Sequence, residues 1–338
     1  MQHPCLKAYY QLLSPDYPEW LNEYIATPRM QKQANISVTC GTIYTNLFDS
    51  HIFYSSLDHS VAVALIVWNF THDKKQTLAG LFHDIATPVF KHCVDFMNGD
   101  YLTQESTEEL TTQLISESPE ICTLLQRDNI QISEVDDYHI YPIADNDTPQ
   151  LSADRLEYSL SNALFTYPCA TLEELTELYQ DIEIQQNTSG EIELGFKTKK
   201  HARKLVSLTS KLSIIYRDNR TRYSMQFVAD ILKRLSEQKL LSVADMYEKS
   251  EAEVIEIIEK SKFGDIFDIW RQAKHIKTSA TTPKSVYYVH HGAKIRYIDP
   301  LWQGKRISKE CKIAAKAIEK NFSYNMDSYV YLPQIRPF

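Results

Sequence analysis

Apolar residues recur at spacings of three and four from Tyr9 to Tyr24, in HSVAVALIVWNF from His59, in KQTLAGLFHDI from Lys75 and in LSADRLEYSLSNALF from Leu151. That is the period of a helix with one buried face. The His59 segment is apolar nearly all the way round, as a helix in the centre of a bundle would be. The same period predicts helices over 171–182, 200–216, 222–238, 242–260 and 308–320, while EIELGF and SVYYVHHGAKIRYIDPLW read as short strands around turns. The expected fold class is mainly α with a small β element. QQNTSG at 185–190 marks a linker or long turn, and divides the chain into a helical core, 1–184, and a C-terminal region, 185–338, of helices and short strands. We find no internal repeat and no low-complexity segment.

Composition excludes several classes. No apolar run approaches the roughly 20 residues a membrane helix needs, and MQHPCLKAYYQLLSPDYPEW lacks the charged-then-apolar order of a signal peptide. The expectation is a soluble, cytoplasmic protein without a membrane partner. Six scattered cysteines form no CxxC pair, which argues against a disulfide framework and against a zinc ribbon. Eight glycines form neither GxGxxG nor GxxxxGK[ST], so phosphate chemistry here has to rest on a metal and side chains.

The net charge of -8 is unevenly distributed: Asp95 to Glu157 holds fifteen Asp or Glu against Arg127 and Arg155 alone, and the remainder is net positive. Two basic runs, KTKKHARK at 197–204 and GKRISKECKIAAKAIEK at 304–320, could meet a polyanion or simply be solvated helix faces. Neither contains an aromatic residue for base stacking, so nucleic acid is not the expected partner.

The dipeptide His-Asp occurs twice. His72-Asp73 lies among polar residues between two helices and reads as a turn or cap. His83-Asp84 ends an amphipathic stretch, so its side chains stand at the margin of a buried surface and need partners. His59 and Asp154 open the other two core helices and are the candidates. Two imidazoles and two carboxylates suit a divalent cation of borderline or hard character, such as Mn, Fe, Zn, Ni or Mg, with positions left for water and a phosphate oxygen. Helix caps with a hydrogen-bonded core histidine are the alternative.

In order, DHSVAVALIV, LFHDIATPVFKH and SADRLEYSL resemble the H…HD…D signature of HD-superfamily phosphohydrolases. They are most similar to the dNTP triphosphohydrolase branch, with its HSLGV, HDLGHGPFSH or HDIGHPPFGH, and D-x-x-x-Y segments. TPRMQKQANIS resembles that branch's PRFQRL approach to the first histidine, so the likeness spans roughly residues 22 to 165. The resemblance implies an HD-type helical core, His59, His83, Asp84 and Asp154 as metal ligands, Gln31 and Tyr158 on a nucleotide, and Arg155 against a phosphate. It also implies Asp95 as the acid orienting a catalytic histidine, and makes a homo-oligomer the expected assembly.

Departures divide the reading. Thr87 and Gln104 stand where the branch places two histidines, Asn162 replaces a carboxylate near the sugar, and Ser56 replaces an arginine. Neither Thr nor Gln can shuttle a proton near neutral pH. The favoured expectation is a metal-dependent phosphohydrolase acting on a nucleotide or other small phosphate ester. Metal-activated water would attack phosphorus, with Arg155 or Lys91 neutralising the phosphate oxygens and His92 as a candidate acid. Lys91 reaches the pocket in that reading if the helix continues past Pro88. The alternative is a metal- and nucleotide-binding sensor or regulatory module with little turnover.

Overall fold

Ser55 opens the central helix, Ser56–Thr71, with a capping box: its hydroxyl accepts from the Asp58 amide while Asp58 accepts from the Ser55 amide. The computed structural model describes residues 4–49, 52–103 and 110–338. Among these, seventeen α-helices and seven short strands make a mainly α architecture, as the apolar spacing predicts. Lys74–Phe82 lies along the central helix, and Gly80 permits the approach, since a Cβ there would meet Val67 Cγ2 at 3.3 Å and Val63 Cγ1 at 3.4 Å. Ala153–Ser161 packs on the same helix through Leu156 and Leu160.

Two apolar cores result. The first joins these three helices and Pro4–Leu13; the second joins Asn219–Glu237, Glu251–Lys260 and Gly264–Gln272. Both draw on chain from either side of residue 185. Leu194, Phe196, Ala202, Leu205 and Val206 enter the first, whereas Cys40, Leu47 and Phe48 enter the second. The chain crosses between the cores directly after the second His-Asp pair: Phe82 and Ile85 belong to the first, Val89 and Phe90 to the second.

QQNTSG ends one strand and begins the turn of an antiparallel hairpin, Ile182–Gln186 with Ile192–Phe196: its two glutamines pair in the first strand and NTSG turns. This hairpin continues in parallel to Leu301–Trp302 and then to Lys305–Arg306, while Lys277–Ser279, Tyr329–Tyr331 and Tyr288–Val289 make a second sheet. Of SVYYVHHGAKIRYIDPLW, only Tyr288–Val289 and Leu301–Trp302 pair as strands. The hairpin also steadies the approach to Asp154, because the buried Glu193 carboxylate accepts from the Leu151 amide at 3.1 Å and from Arg306 at 2.7 Å.

Some predicted helices are divided. Tyr9–Tyr24 is interrupted by SPDYP into Pro4–Leu13 and Leu21–Ile25, since proline fixes φ and removes a donor. Residues 242–260 split at Ser250, which caps Glu251–Lys260, and Ala153–Ser161 passes into a π turn, Asn162–Thr166. All six cysteines are free. No helix of the described residues is long and apolar enough to cross a membrane.

Candidate metal centre

Three helix ends meet at one point. His59 stands in the first turn of Ser56–Thr71, His83 follows the last turn of Lys74–Phe82, and Asp154 lies in the first turn of Ala153–Ser161, which Ser152 caps through the Arg155 amide. His59 Nε2 is 3.1 Å from His83 Nε2 and 3.2 Å from Asp154 Oδ1; His83 Nε2 is 3.7 Å from Asp154 Oδ1. Asp84 Oδ2 lies 3.8 Å from both imidazole Nε2 atoms. One ligand atom from each of His59, His83 and Asp154 falls within 4.8 Å of the others.

The outer atoms of both imidazoles are committed. His83 Nδ1 faces the Gly80 carbonyl at 2.7 Å, and a carbonyl only accepts, so Nδ1 carries the proton and the Nε2 lone pair turns inward. His59 Nδ1 is held by Glu157, a wholly buried carboxylate that also accepts from Tyr54 at 2.7 Å, Tyr9 at 3.1 Å and Ser161 at 3.3 Å. A histidine that donates its far N–H to a carboxylate or carbonyl while its near nitrogen faces a shared point is the arrangement of a metal ligand with its supporting shell.

The electrostatics agree. Burial alone would lower the His59 pKa, but Glu157 and Asp154 outweigh it and raise it to about 10. Burial would raise Asp154 and Asp84. The His59 hydrogen bond and the two imidazoles hold Asp154 below the usual carboxylate range; Lys91 and the same imidazoles hold Asp84 well below it. Positive charge is favoured here, carried by protons or by a cation, and two imidazoles with the Asp154 carboxylate are a fitting donor set for a divalent metal, with Asp84, paired to Lys91, beside them.

Lys91 enters this cluster by a route different from the expected one. The helix ends at Phe82, and the chain turns through Phe90 (φ 59) and Lys91 (φ 45), so that Lys91 Nζ donates to Asp84 Oδ2. Consecutive left-handed non-glycine residues are strained, and distant chain holds them. The Phe90 amide donates to the buried Glu251 carboxylate at 3.2 Å, and the Val89 amide to the Met246 carbonyl at 2.9 Å. Helix His92–Met97 begins next, with His92 Nδ1 2.9 Å from the fully buried Asp95 carboxylate. Burial lowers the His92 pKa, with Asp95 opposing and Arg296 reinforcing the shift.

The remaining predicted residues scatter. Gln31 is exposed and donates to the Ile25 carbonyl at 2.8 Å; its neighbour Gln33 is the buried one, donating to the Ile85 carbonyl at 2.7 Å. Arg155 is engaged by Asp145 at 3.0 Å and Asn146 at 2.7 Å. Tyr158 lies one turn beyond Asp154, and Asn162 caps back onto the Tyr158 carbonyl at 2.7 Å. Thr87 is buried, its carbonyl accepting from Lys32 at 3.2 Å. Gln104 lies outside the described residues. In the basic runs, Lys204 faces Glu174 at 3.5 Å and Arg306 is bonded to Glu193.

Sequence reasoning missed Glu157, which it counted only as charge. Its signal was position: a carboxylate inside the stripe Leu156 to Leu160 has to be buried, and a buried carboxylate needs several donors. It also missed Ser56 as a partner of Asp84, at 3.3 Å, and it missed Arg296, whose guanidinium reaches within 3.5 Å of His92 Nε2.

No family model matches the chain. It is 25% identical over 245 residues to the uncharacterized protein YdhJ of Bacillus subtilis strain 168, covering 72% of each chain. Its structure is similar to that of a hypothetical protein from Aquifex aeolicus, with TM-score 0.56, 17% identity and 94% and 92% of the two chains covered. It is also similar to a protein named phosphohydrolase from Bacteroides thetaiotaomicron VPI-5482, with TM-score 0.50, 12% identity and 94% and 95% covered. The two structures share a fold with this chain along nearly its whole length. At such identities they show the fold alone, and the chemistry has to be argued from the site.

Proposed function

We propose that this chain is a metal-dependent phosphohydrolase of the HD type, acting on a nucleotide or a related small phosphate ester. The observation that carries the reading is the convergence of His59, His83 and Asp154, with Asp84 beside them, from three helix ends onto one point. The name of the Bacteroides neighbour supports the reaction class. A divalent cation held here supplies Lewis acidity toward a phosphoryl oxygen and makes water a better nucleophile at neutral pH.

The chain's own groups do the rest. Glu157 fixes the His59 tautomer, and the Gly80 carbonyl fixes that of His83, so both present lone pairs inward. Lys91, beside Asp84, offers a point charge to a phosphate oxygen. His92, oriented by Asp95, is the imidazole that can exchange a proton with the reacting group, in place of the histidines absent at Thr87 and Gln104. Purified protein supplied in turn with Mn, Mg, Zn, Ni and Fe should release phosphate, pyrophosphate or triphosphate from mono- or trinucleotides, and Asp84→Ala should abolish that release. Tight nucleotide binding with no product under any metal would overturn this reading in favour of a binding module.

A further inference from the structure

The C-terminal segment reaches the neighbourhood of the candidate centre through Arg296. Arg296 lies between the two sheets, in the irregular stretch 290–300, and its guanidinium comes within 3.5 Å of His92 Nε2. Its backbone is well anchored. The Arg296 carbonyl accepts from Asn321 Nδ2 at 2.9 Å, and Asn321, wholly buried, is gripped by the buried Arg217 through its carbonyl at 2.7 Å and its side-chain oxygen at 2.6 Å.

Arg296 also lines a narrow cavity with Tyr158, Ser159, Thr209, Tyr216 and Tyr297. Tyr158 lies one turn from Asp154, which places this cavity beside the metal cluster. Charge tells the same story: burial pushes the Tyr158 phenol up to about 12, with Arg296 opposing and Asp154 reinforcing. The Tyr216 hydroxyl is shut off from solvent and has no hydrogen-bond partner among the described residues. A buried hydroxyl in that state is costly unless a ligand or water completes it. The cavity has room of about 10 Å³, the size of one water molecule and too small for a base or a sugar.

We propose that Arg296, Tyr216 and Tyr158 form an anion subsite that receives one phosphoryl oxygen of the substrate, so that the C-terminal segment completes a centre otherwise built by residues 56–158. The inference rests on the phosphohydrolase reading and deepens it. Arg296 donates to the incoming oxygen from a planar fork suited to phosphate geometry, and Tyr216 supplies the hydroxyl that is otherwise unsatisfied. The Arg296 hydrogen bond toward His92 Nε2 is exchanged for the substrate's oxygen, which leaves that nitrogen facing the reacting group.

The test uses Mn-loaded full-length protein, inorganic phosphate as the calorimetric probe, and hydrolysis of p-nitrophenyl phosphate. Arg296→Ala should weaken phosphate binding at least tenfold and raise KM, with metal affinity unchanged; added guanidinium should restore part of both. Arg296→Gln keeps most of the bulk and serves as the deciding variant if the alanine protein does not fold. Tyr216→Phe should weaken phosphate severalfold. Folded Arg296→Gln protein that binds metal and phosphate as the wild type does would overturn the subsite and leave the metal reading standing. Wild-type protein that binds metal but no phosphate at millimolar concentration would do the same. Wild-type protein that binds no metal would overturn the underlying reading as well.

Discussion

The same dipeptide does two unrelated things in this chain. At His72-Asp73 the histidine ends the central helix in a left-handed conformation, φ 50, with its side chain 59% exposed, and Asp73 accepts from the Lys75 and Gln76 amides at 2.8 and 3.1 Å. At His83-Asp84 the histidine side chain is 4% exposed and faces His59, Asp154 and Asp84. The two residues are the same; the surroundings differ. The first pair opens a helix and meets solvent, whereas the second closes the same helix where two other helix ends point at it. A motif of two residues therefore acquires chemistry only from what the fold packs opposite.

The largest effect that can break this comparison is removal of a ligand. Asp154→Ala or His83→Ala should weaken divalent-metal binding by a thousandfold or more, about 4 kcal/mol, read by calorimetry on protein shown to be folded. Should either variant bind metal as the wild type does, the second pair would be no different in kind from the first.

Next comes the tie that only the second pair has. Burial raises the Glu251 carboxyl from 4.5 to about 7, so the folded state keeps a proton that the unfolded chain has already released. Stability should fall as pH rises from about 4.5 to about 7, by on the order of 3 kcal/mol. Glu251→Gln should flatten that part of the melting-temperature profile, and an unchanged slope would show that another group takes up the proton.

Glu157→Gln should lower metal affinity by about 10–100-fold, the usual consequence of loosening a ligand's supporting carboxylate, with little change in the far-ultraviolet dichroism spectrum. The smallest effect belongs to the first pair. Asp73→Ala should cost about 1 kcal/mol of stability through the lost cap, measured by urea unfolding, and leave metal binding unaltered.

Much of this was legible in sequence because it is local. Apolar spacing located the three core helices, and the polar company of His72-Asp73 announced a cap. The positions of His59, His83 and Asp154 followed from helix ends within one helical core. What the sequence hid is long-range. Lys91 reaches Asp84 through two left-handed residues held by Glu251 and Met246, more than 150 residues away, and not through a continued helix. Gln31 and Gln33 differ in burial because of how one short helix, Pro28–Lys32, ends. Arg296 arrives from a segment whose pattern suggested only strands, placed by the buried Arg217–Asn321 clamp.

The central claim is that the second His-Asp pair, with His59 and Asp154, holds a divalent cation. Metal analysis of purified wild-type protein and of His83→Ala, each incubated with manganese and freed of excess ion, tests it most directly. The account predicts bound manganese in the wild type and none in the folded variant; equal metal in both, or none in either, would contradict it.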